Sequence, residues 1–543
     1  MILRNPLNFI NNFFKSVSIH VKNIYLNSNY YNKKLSKIYF DNLIYKPSPH
    51  LLSSLIKYQT KKINVDDIST ENLWDSKNVK SKVFRRLNNF YWFFSLDLKS
   101  SKKNTQKIIS SWVKKNFKFD SKSWEFDLTS KRIIAWLSNL SLTIDEGDKN
   151  YQNQFNGMIQ KQTNHLINEI DKSKTIENKI IGCAAIILVG LCYKNGKNYL
   201  SYGLNLLKKI SKSSFDNYGF PKSRNIKQLI LYLKYFILIR EWFRESQIDV
   251  PDEINENIYH LGQGYAFIWQ NIRFDILMNG NNLSNNTEFD HYLKRFGYKF
   301  KNESKEFGGY AILYNKKISI VMDVGSSPTS KHSLNYQSGA LSFEISSGGK
   351  KLISNCGYYS NKNLKLTELS KSTAAQSTLI IDDNSSCGYK RVNDKNYFVN
   401  NDLKILKKNI VFEKNYWKIN AVHDGYQKKY DLLHERVIEF YPEQFKFIGT
   451  DKILNKKTNF NIKFEVRFHL EPSIKLMKTQ DNKTILIELE DEGWKFTCDK
   501  YNISIDNGLY FGNKNSYTQN QNIFISGIAN KQHENITWQL SKI

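Results

Sequence analysis

Negative charge, cysteine and long apolar runs are what this 543-residue chain has little of. Asp and Glu number 51 against 80 Lys and Arg, which leaves a formal charge of +29. Such an excess favours polyanions as partners: an acidic polysaccharide, a nucleic acid or an anionic membrane face. The alternative is a general bias of composition toward Lys and Asn, spread over the surface. The lysines are scattered rather than gathered in a tail or on one helix face, and no nucleic-acid motif accompanies them. No nucleic-acid partner is therefore expected, and an acidic glycan ranks above one. The five cysteines, Cys183, Cys192, Cys356, Cys387 and Cys498, are too few and too widely spaced for a disulfide framework or a metal-type pair. Cys183 and Cys192 sit in an apolar helical pattern, where cysteine behaves as a small hydrophobe. The longest apolar run, Ile180 to Cys192, is too short to span a bilayer, which takes about 20 residues. Met1 to Lys22 lacks an apolar core and a small-residue cleavage site, so no transmembrane segment and no clear signal peptide is expected and the chain reads as soluble. Gly262-Gln263-Gly264 is too short for a phosphate loop and reads as a helix interruption.

What is there is pattern. Met1 to about Ser76 is a Lys- and Asn-rich peripheral lead-in (residues 1–76), with Tyr39 to Leu43 and Leu51 to Tyr58 as short ordered pieces. From about 77 to 295 helical spacing dominates. Phe84, Leu87, Phe90, Tyr91 and Phe94 form one stripe; Ile108, Ile109, Trp112 and Val113 form another. Ile180 to Leu191 and Ile226 to Phe243 are apolar almost all round and predict buried helices. Pro251 opens a further helix, at a position where proline is tolerated. Successive helices with short links predict an α/α toroid, an incomplete barrel; a helical repeat array is the alternative, without a fixed period to support it. From 305 to 543 the wording turns to short β-rich runs divided by turn residues, which predicts an antiparallel β-sandwich. The fold class is thus α+β in separate domains.

The stretch from Gln337 to Cys387 carries the most information. Leu341, Phe343 and Ile345 alternate with Ser342 and Glu344, the period of a half-buried strand. Ser347-Gly348-Gly349-Lys350 reads as a hairpin turn, Leu352 and Ile353 begin the return strand, and Thr378 to Ile381 is the third strand of a meander. Asn355-Cys356-Gly357-Tyr358-Tyr359 interrupts the pattern as a polar loop.

This segment resembles the β-domain of the heparinase II/III-like family, with its His-x-His-Ala-Asp-x-Leu-Ser-Phe-Glu motif followed by a tyrosine-bearing loop. The likeness lies in Leu341 to Glu344 and Gly357 to Tyr359. Trp124 to Trp136, Gly219 to Asn225, Asp275 to Gly280, His423 to Tyr426, His434 to Arg436 and Arg467 to Pro472 extend it over residues 80 to 540. The resemblance implies an α/α toroid followed by a β-sandwich, an acidic polysaccharide as partner, and a place in the cell envelope or periplasm.

It also implies β-elimination from uronic-acid polymers. One group neutralises the C5 carboxylate, a base removes the neighbouring proton, and an acid protonates the leaving oxygen. By this resemblance Asn178 takes the neutraliser position, with Lys179 in place of the family's histidine. The alternative is that Asn178 caps a helix starting at Lys179. Arg224 and Asn225 fall on the family's arginine motif, where Arg224 would grip a carboxylate or sulfate or else form an ordinary salt bridge; the catalytic tyrosine position falls on Gln228. Gln337 stands at the second family histidine, Gly339 at its aspartate and Gln376 where a histidine is common. Glutamine orients a hydroxyl but does not titrate. Tyr358 and Tyr359 therefore become the acid and base candidates, against ordinary packing of the loop. Asn355, His332 and His423 are further substrate contacts, with His469 as another option and His434 nearby in the β-half. No metal or other cofactor is expected. Two functions follow: a polysaccharide lyase-like enzyme, or a catalytically reduced protein that holds an acidic glycan without cutting it.

Overall fold

The computed structural model describes residues 17–18, 20–36, 42–55, 73–74, 82–96, 101–173, 175–284, 286–360, 363–392, 396–400, 402–455, 461–513 and 516–543. Most of the lead-in lies outside them, including Tyr39 to Asp41 and Ile56 to Tyr58 of its two expected ordered pieces. The last helix before the strands is Thr287–Arg295 and the first strand is Glu306–Phe307. The fold is an α/α toroid followed by an antiparallel β-sandwich. By internal contacts the chain divides into two compact units, residues 1–213 with 231–258 and residues 214–230 with 259–543.

The first unit is built from long helices packed on an aromatic and amide core. Phe126–Leu137, Lys149–Glu169 and Ile176–Cys192 bury most of their length. Ile176–Cys192 is buried on every side from Ile180 onward, as its all-round apolar sequence requires. Its two glycines are contact points: a Cβ on Gly182 would run into Phe126, and one on Gly190 into the backbone of Leu200 in the next helix. The stripe read through Phe84 to Phe94 is not one helix. Lys82–Asn88 ends, Phe90 takes a left-handed φ of 57°, and Tyr91–Ser95 forms a 3-10 turn. The turn points Phe90 edge-on at Trp112 and Trp136, with ring centroids 6.1 and 5.2 Å away. Arg132 is buried beside them, 4.0 Å over the Trp112 ring, and donates to Gln162 Oε1, Asn88 O and Ser123 O.

The second unit holds the β-structure. One sheet runs, in sequence order, Glu306–Phe307, Tyr310–Tyr314, Ile318–Asp323, Phe343–Ser347 and Lys350–Ile353. An eight-stranded sheet is centred on His533–Lys542, Lys446–Asn455 and Leu432–Tyr441. In the last two, burial alternates residue by residue, so one face packs and the other is wetted. A four-stranded sheet joins Ile503–Tyr510, Thr518–Ala529, Ile462–His469 and Leu379–Ile381. Phe343, Phe468, Phe496 and Trp538 interlock where these sheets meet, with Phe343 and Trp538 stacked at 5.5 Å. The hairpin at Gly348 and Gly349 has both glycines at positive φ, 56° and 84°, which suits the right-handed twist of its strands. The expected three-strand meander is corrected at its third member: Leu379–Ile381 leaves the sheet and pairs with Ile462–His469 instead. Gly262-Gln263-Gly264 is no interruption either. Asp252–Tyr265 runs straight through it, and Gly262 is small because the Phe300 ring lies against it.

Gly449 faces Trp538 across the strand pair Lys446–Asn455 and His533–Lys542, and a Cβ there would enter the indole ring. Gly449→Ala is expected to destabilise the second unit by about 2 kcal/mol, the usual scale of overpacking. Urea unfolding followed by tryptophan fluorescence measures it.

Candidate functional site

The loop from Ser354 to Ser360 in the second unit gathers five of the residues singled out in the sequence: Gln337, Asn355, Tyr358, Tyr359 and Gln376. Its backbone carbonyls are tied down by side-chain amides. Gln337 Nε2 donates to Gly357 O at 3.0 Å and to Ser370 O at 2.6 Å, while its Oε1 accepts from the Gly280 N–H at 2.9 Å. Asn282 Nδ2 donates to Tyr358 O at 2.6 Å and Phe511 O at 2.7 Å, and its Oδ1 accepts from Lys227 Nζ. Asn355 donates its N–H and Nδ2 to Glu344 Oε1, at 3.1 and 3.2 Å, and accepts the Ser377 N–H on Oδ1 at 2.8 Å. Gln376 donates to Ser370 O at 3.3 Å. Gly357 makes the turn at a φ of 79°, where a Cβ would press on the Phe511 backbone.

On this frame ride Tyr358 and Tyr359, 8% and 7% exposed. Tyr359 donates its N–H to Ser370 Oγ at 3.2 Å and packs its ring edge-on against Phe511, 5.5 Å away. Burial pushes the Tyr358 hydroxyl up to about 12. Beneath the loop, Glu344 and Lys351 form a buried ion pair at 3.0 Å, and burial raises the Glu344 carboxyl even against that lysine.

The remaining predicted contacts point inward. Arg224 donates to Asp323 Oδ1 at 2.6 Å, Gly309 O at 2.8 Å, Gly325 O at 3.0 Å and the carbonyls of Gly308 and Ser326 at 3.3 Å. It is a buried clamp with no donor left over, so the ordinary salt bridge is the reading its contacts describe. Asn225 Oδ1 accepts the N–H of Gln228, three residues on, in the manner of a helix cap. Gln228 Oε1 accepts from the Ser223 hydroxyl. His423 is buried in a relay whose ring protons the hydrogen-bond network assigns. The Gly425 N–H donates to His423 Nδ1 at 3.0 Å, His423 Nε2–H to His434 Nδ1 at 3.1 Å, and His434 Nε2–H to Asp451 Oδ1 at 2.7 Å. Arg436 also grips Asp451, at 2.7 and 3.0 Å, and reaches the carbonyls of Leu341 and Ser377 that flank the loop's support. Burial holds both imidazoles neutral. His332 lies half-buried in the turn Ser330–His332, its basicity lowered by burial and then by Lys331 and Lys222.

In the first unit, Asn178 and Lys179 stand in the first turn of Ile176–Cys192. Thr175 caps that helix, accepting the Asn178 N–H on its Oγ1 at 3.4 Å, so the alternative role of Asn178 as cap falls away. Lys179 donates to Asp171 O at 3.4 Å.

Sequence reasoning missed Asn282, Ser370 and Lys227. The signal for Asn282 was present: a run of amides, Asn279 to Asn282, directly after the apolar Ile276 to Met278. Among the described residues no group of three or more His, Cys, Asp or Glu side chains is placed to hold a metal ion, and no helix is long and apolar enough to cross a membrane.

Residues 303–539 match the family described as "Heparinase II/III-like, C-terminal". The β-half of the chain thus carries a heparinase II/III-like C-terminal domain. Solved structures share the fold of this chain along nearly its whole length. A mutant form of the heparan sulfate lyase HepC from Pedobacter heparinus superposes with a TM-score of 0.65 at 14% identity, covering 94% of this chain and 87% of that one. A heparinase III superposes with a TM-score of 0.63 at 15% identity, covering 90% and 80%. Among curated proteins, FtsZ-localized protein C of Caulobacter vibrioides (strain NA1000 / CB15N) is 24% identical over 247 residues, 43% of this chain and 42% of that protein. The match thus spans under half of that relative's length.

Proposed function

We propose that this heparinase II/III-like chain is a polysaccharide lyase-like protein that acts on an acidic, uronic-acid-containing glycan by β-elimination. The observation that carries the reading is the tyrosine pair, held on a loop with fixed carbonyls and left with a margin of solvent exposure. A phenol kept protonated well above neutral pH suits Tyr358 to donate a proton to the leaving glycosidic oxygen. Tyr359 is the partner that takes the C5 proton. Asn178 and Lys179 are the helical unit's candidates for the uronate carboxylate: an amide to hydrogen-bond the developing enolate, and a point charge beside it. The charge of +29 favours a polyanion.

A second reading, glycan binding without cleavage, has its own support. Gln337 and Gln376 do not titrate, and Arg224 and His423 are committed to internal partners. One assay separates the two. Purified protein is offered alginate, heparan, hyaluronan and bacterial capsule polymers while the ultraviolet band of unsaturated uronate ends is followed. Release by the wild type, reduced about 10²-fold or more in Tyr359→Phe and in Asn178→Ala, is the expected result for a lyase. Silence on all polymers, with measurable binding to one, establishes the second reading instead. Neither release nor binding rejects both.

A further inference from the structure

A cleft of about 440 Å³ in the second unit is lined by two hairpin turns and by the segment that follows the helical turn Ala266–Gln270. Its charged walls are all of one sign: Arg273, Lys316 and Lys317. No carboxylate lines it, and none among the described residues pairs with any of the three cations. All three are exposed at the rim of the cleft, and together they give it an unbalanced positive potential.

The backbone presents these groups firmly. The Arg273 N–H donates to Trp269 O at 2.7 Å, which fixes the left-handed φ of 56° from which its side chain departs. Asn315 Oδ1 accepts the N–H groups of Lys317 and Ile318, both at 2.8 Å, locking the turn that carries the two lysines. The Lys317 ammonium stands 5.3 Å from the Phe445 ring. In the cleft wall, Ser319 and Ser346 are both buried and share one hydrogen bond, Oγ to Oγ at 2.6 Å. A hydroxyl pair uses only one of its two protons in that bond. The second proton remains as a donor in a wall whose charged residues are all cations.

A planar guanidinium, two ammonium groups and a hydroxyl donor, with no competing acid, match an oxyanion carried on a polar body. We propose that this cleft is an auxiliary subsite for a sulfate or carboxylate group of an acidic saccharide, separate from the Tyr358–Tyr359 loop. The proposal rests on the polysaccharide reading given above for its choice of ligand. An auxiliary anchor of this kind adds affinity for longer chains through effective concentration, without any part in proton transfer.

The test compares three proteins by calorimetric titration with a heparan octasaccharide and, separately, with inorganic sulfate. They are the wild type, the triple variant Arg273→Ala, Lys316→Ala, Lys317→Ala, and a charge-matched control, Lys404→Ala, Lys407→Ala, Lys414→Ala. The expected result is a loss of at least tenfold in octasaccharide affinity in the triple variant and less than threefold in the control. Equal losses in the two variants overturn the subsite, while leaving the polysaccharide reading standing. Should the octasaccharide bind none of the three, the subsite as proposed for a heparan chain fails, while the polysaccharide reading is decided separately by the polymer panel above. Sulfate then decides what the cleft is: uptake by wild type and control but not by the triple variant makes it a site for a free oxyanion. Unfolding midpoints of the variants check that each has folded.

Discussion

Lowering the pH from 7 to 5 is expected to remove several kcal/mol of stability, well before ordinary carboxylates titrate. The cause is four buried histidines held neutral. Burial depresses His165 in the first unit and His469 in the second to about 4 from 6.5, and it depresses His423 and His434 in the same direction. The folded state therefore binds these protons less readily than the unfolded chain. The stability contributed is complete above about pH 6.5 and is lost as the pH falls from there toward 4. At pH 5 the loss is about 2 kcal/mol for each of His165 and His469. Two carboxyls work against this trend. Burial raises Asp275 and Glu344, so their protonation favours the folded state as the pH falls. They act from their raised values down to their ordinary ones, so they offset part of the histidine loss. Asp451 adds a late penalty: Arg436 and His434 outweigh its burial and hold it below the usual range, so its contribution is lost only in strong acid. Urea midpoints at pH 7, 6 and 5 measure the slope. His165→Gln and His469→Gln should each flatten it, since neither replacement titrates. An unchanged midpoint down to pH 5 would show that the imidazoles reach water or partners on protonation.

The order helices-then-strands was readable because each half keeps one period. Leu432–Tyr441 alternates in sequence and in burial alike, and Ile176–Cys192 is apolar in every direction and buried in every direction. Partner choice was less legible. Leu379–Ile381 follows the hairpin in sequence but pairs with Ile462–His469 far along the chain, and nothing local in three apolar residues specifies that neighbour. Phe90 fits a helical stripe by spacing, yet it serves the core better from a left-handed turn. In the site, the residues Gln337, Gln376, Asn355, Tyr358 and Tyr359 do converge on one loop. Their amides, however, face buried carbonyls, N–H groups and the Glu344 carboxylate rather than the solvent. A sequence gives an amide's identity and not the direction of its donors. Asn282 and Ser370 escaped notice for the same reason, since their importance lies in which carbonyl and which N–H they meet.

Arg224→Ala is expected to lower the stability of the second unit by about 3–5 kcal/mol, because it leaves the Asp323 carboxylate buried without its cation. The guanidinium is enclosed so closely that a Cβ on either Gly309 or Gly325 would strike it, so no other side chain can enter to compensate. Asp323 keeps Asn279 Nδ2 at 3.0 Å and the Gly325 N–H at 3.1 Å, which soften the loss without neutralising the charge. Tyr310, whose hydroxyl donates to Arg224 O at 2.6 Å, lies with its ring 5.0 Å from the guanidinium and would lose that contact too. Arg224→Lys should recover only a fraction, since one ammonium replaces a fork that serves one carboxylate and four carbonyls. Asp323→Asn combined with Arg224→Met should be less damaging than the two single changes added together, because no unpaired charge is then left buried. The same variants separate clamp from substrate grip. A clamp predicts a lower unfolding midpoint with unchanged glycan affinity in the fraction that remains folded at low temperature. A grip predicts an affinity loss of tenfold or more at a temperature where circular dichroism shows the fold intact. The geometry, with every donor of Arg224 already met inside the protein, favours the first outcome.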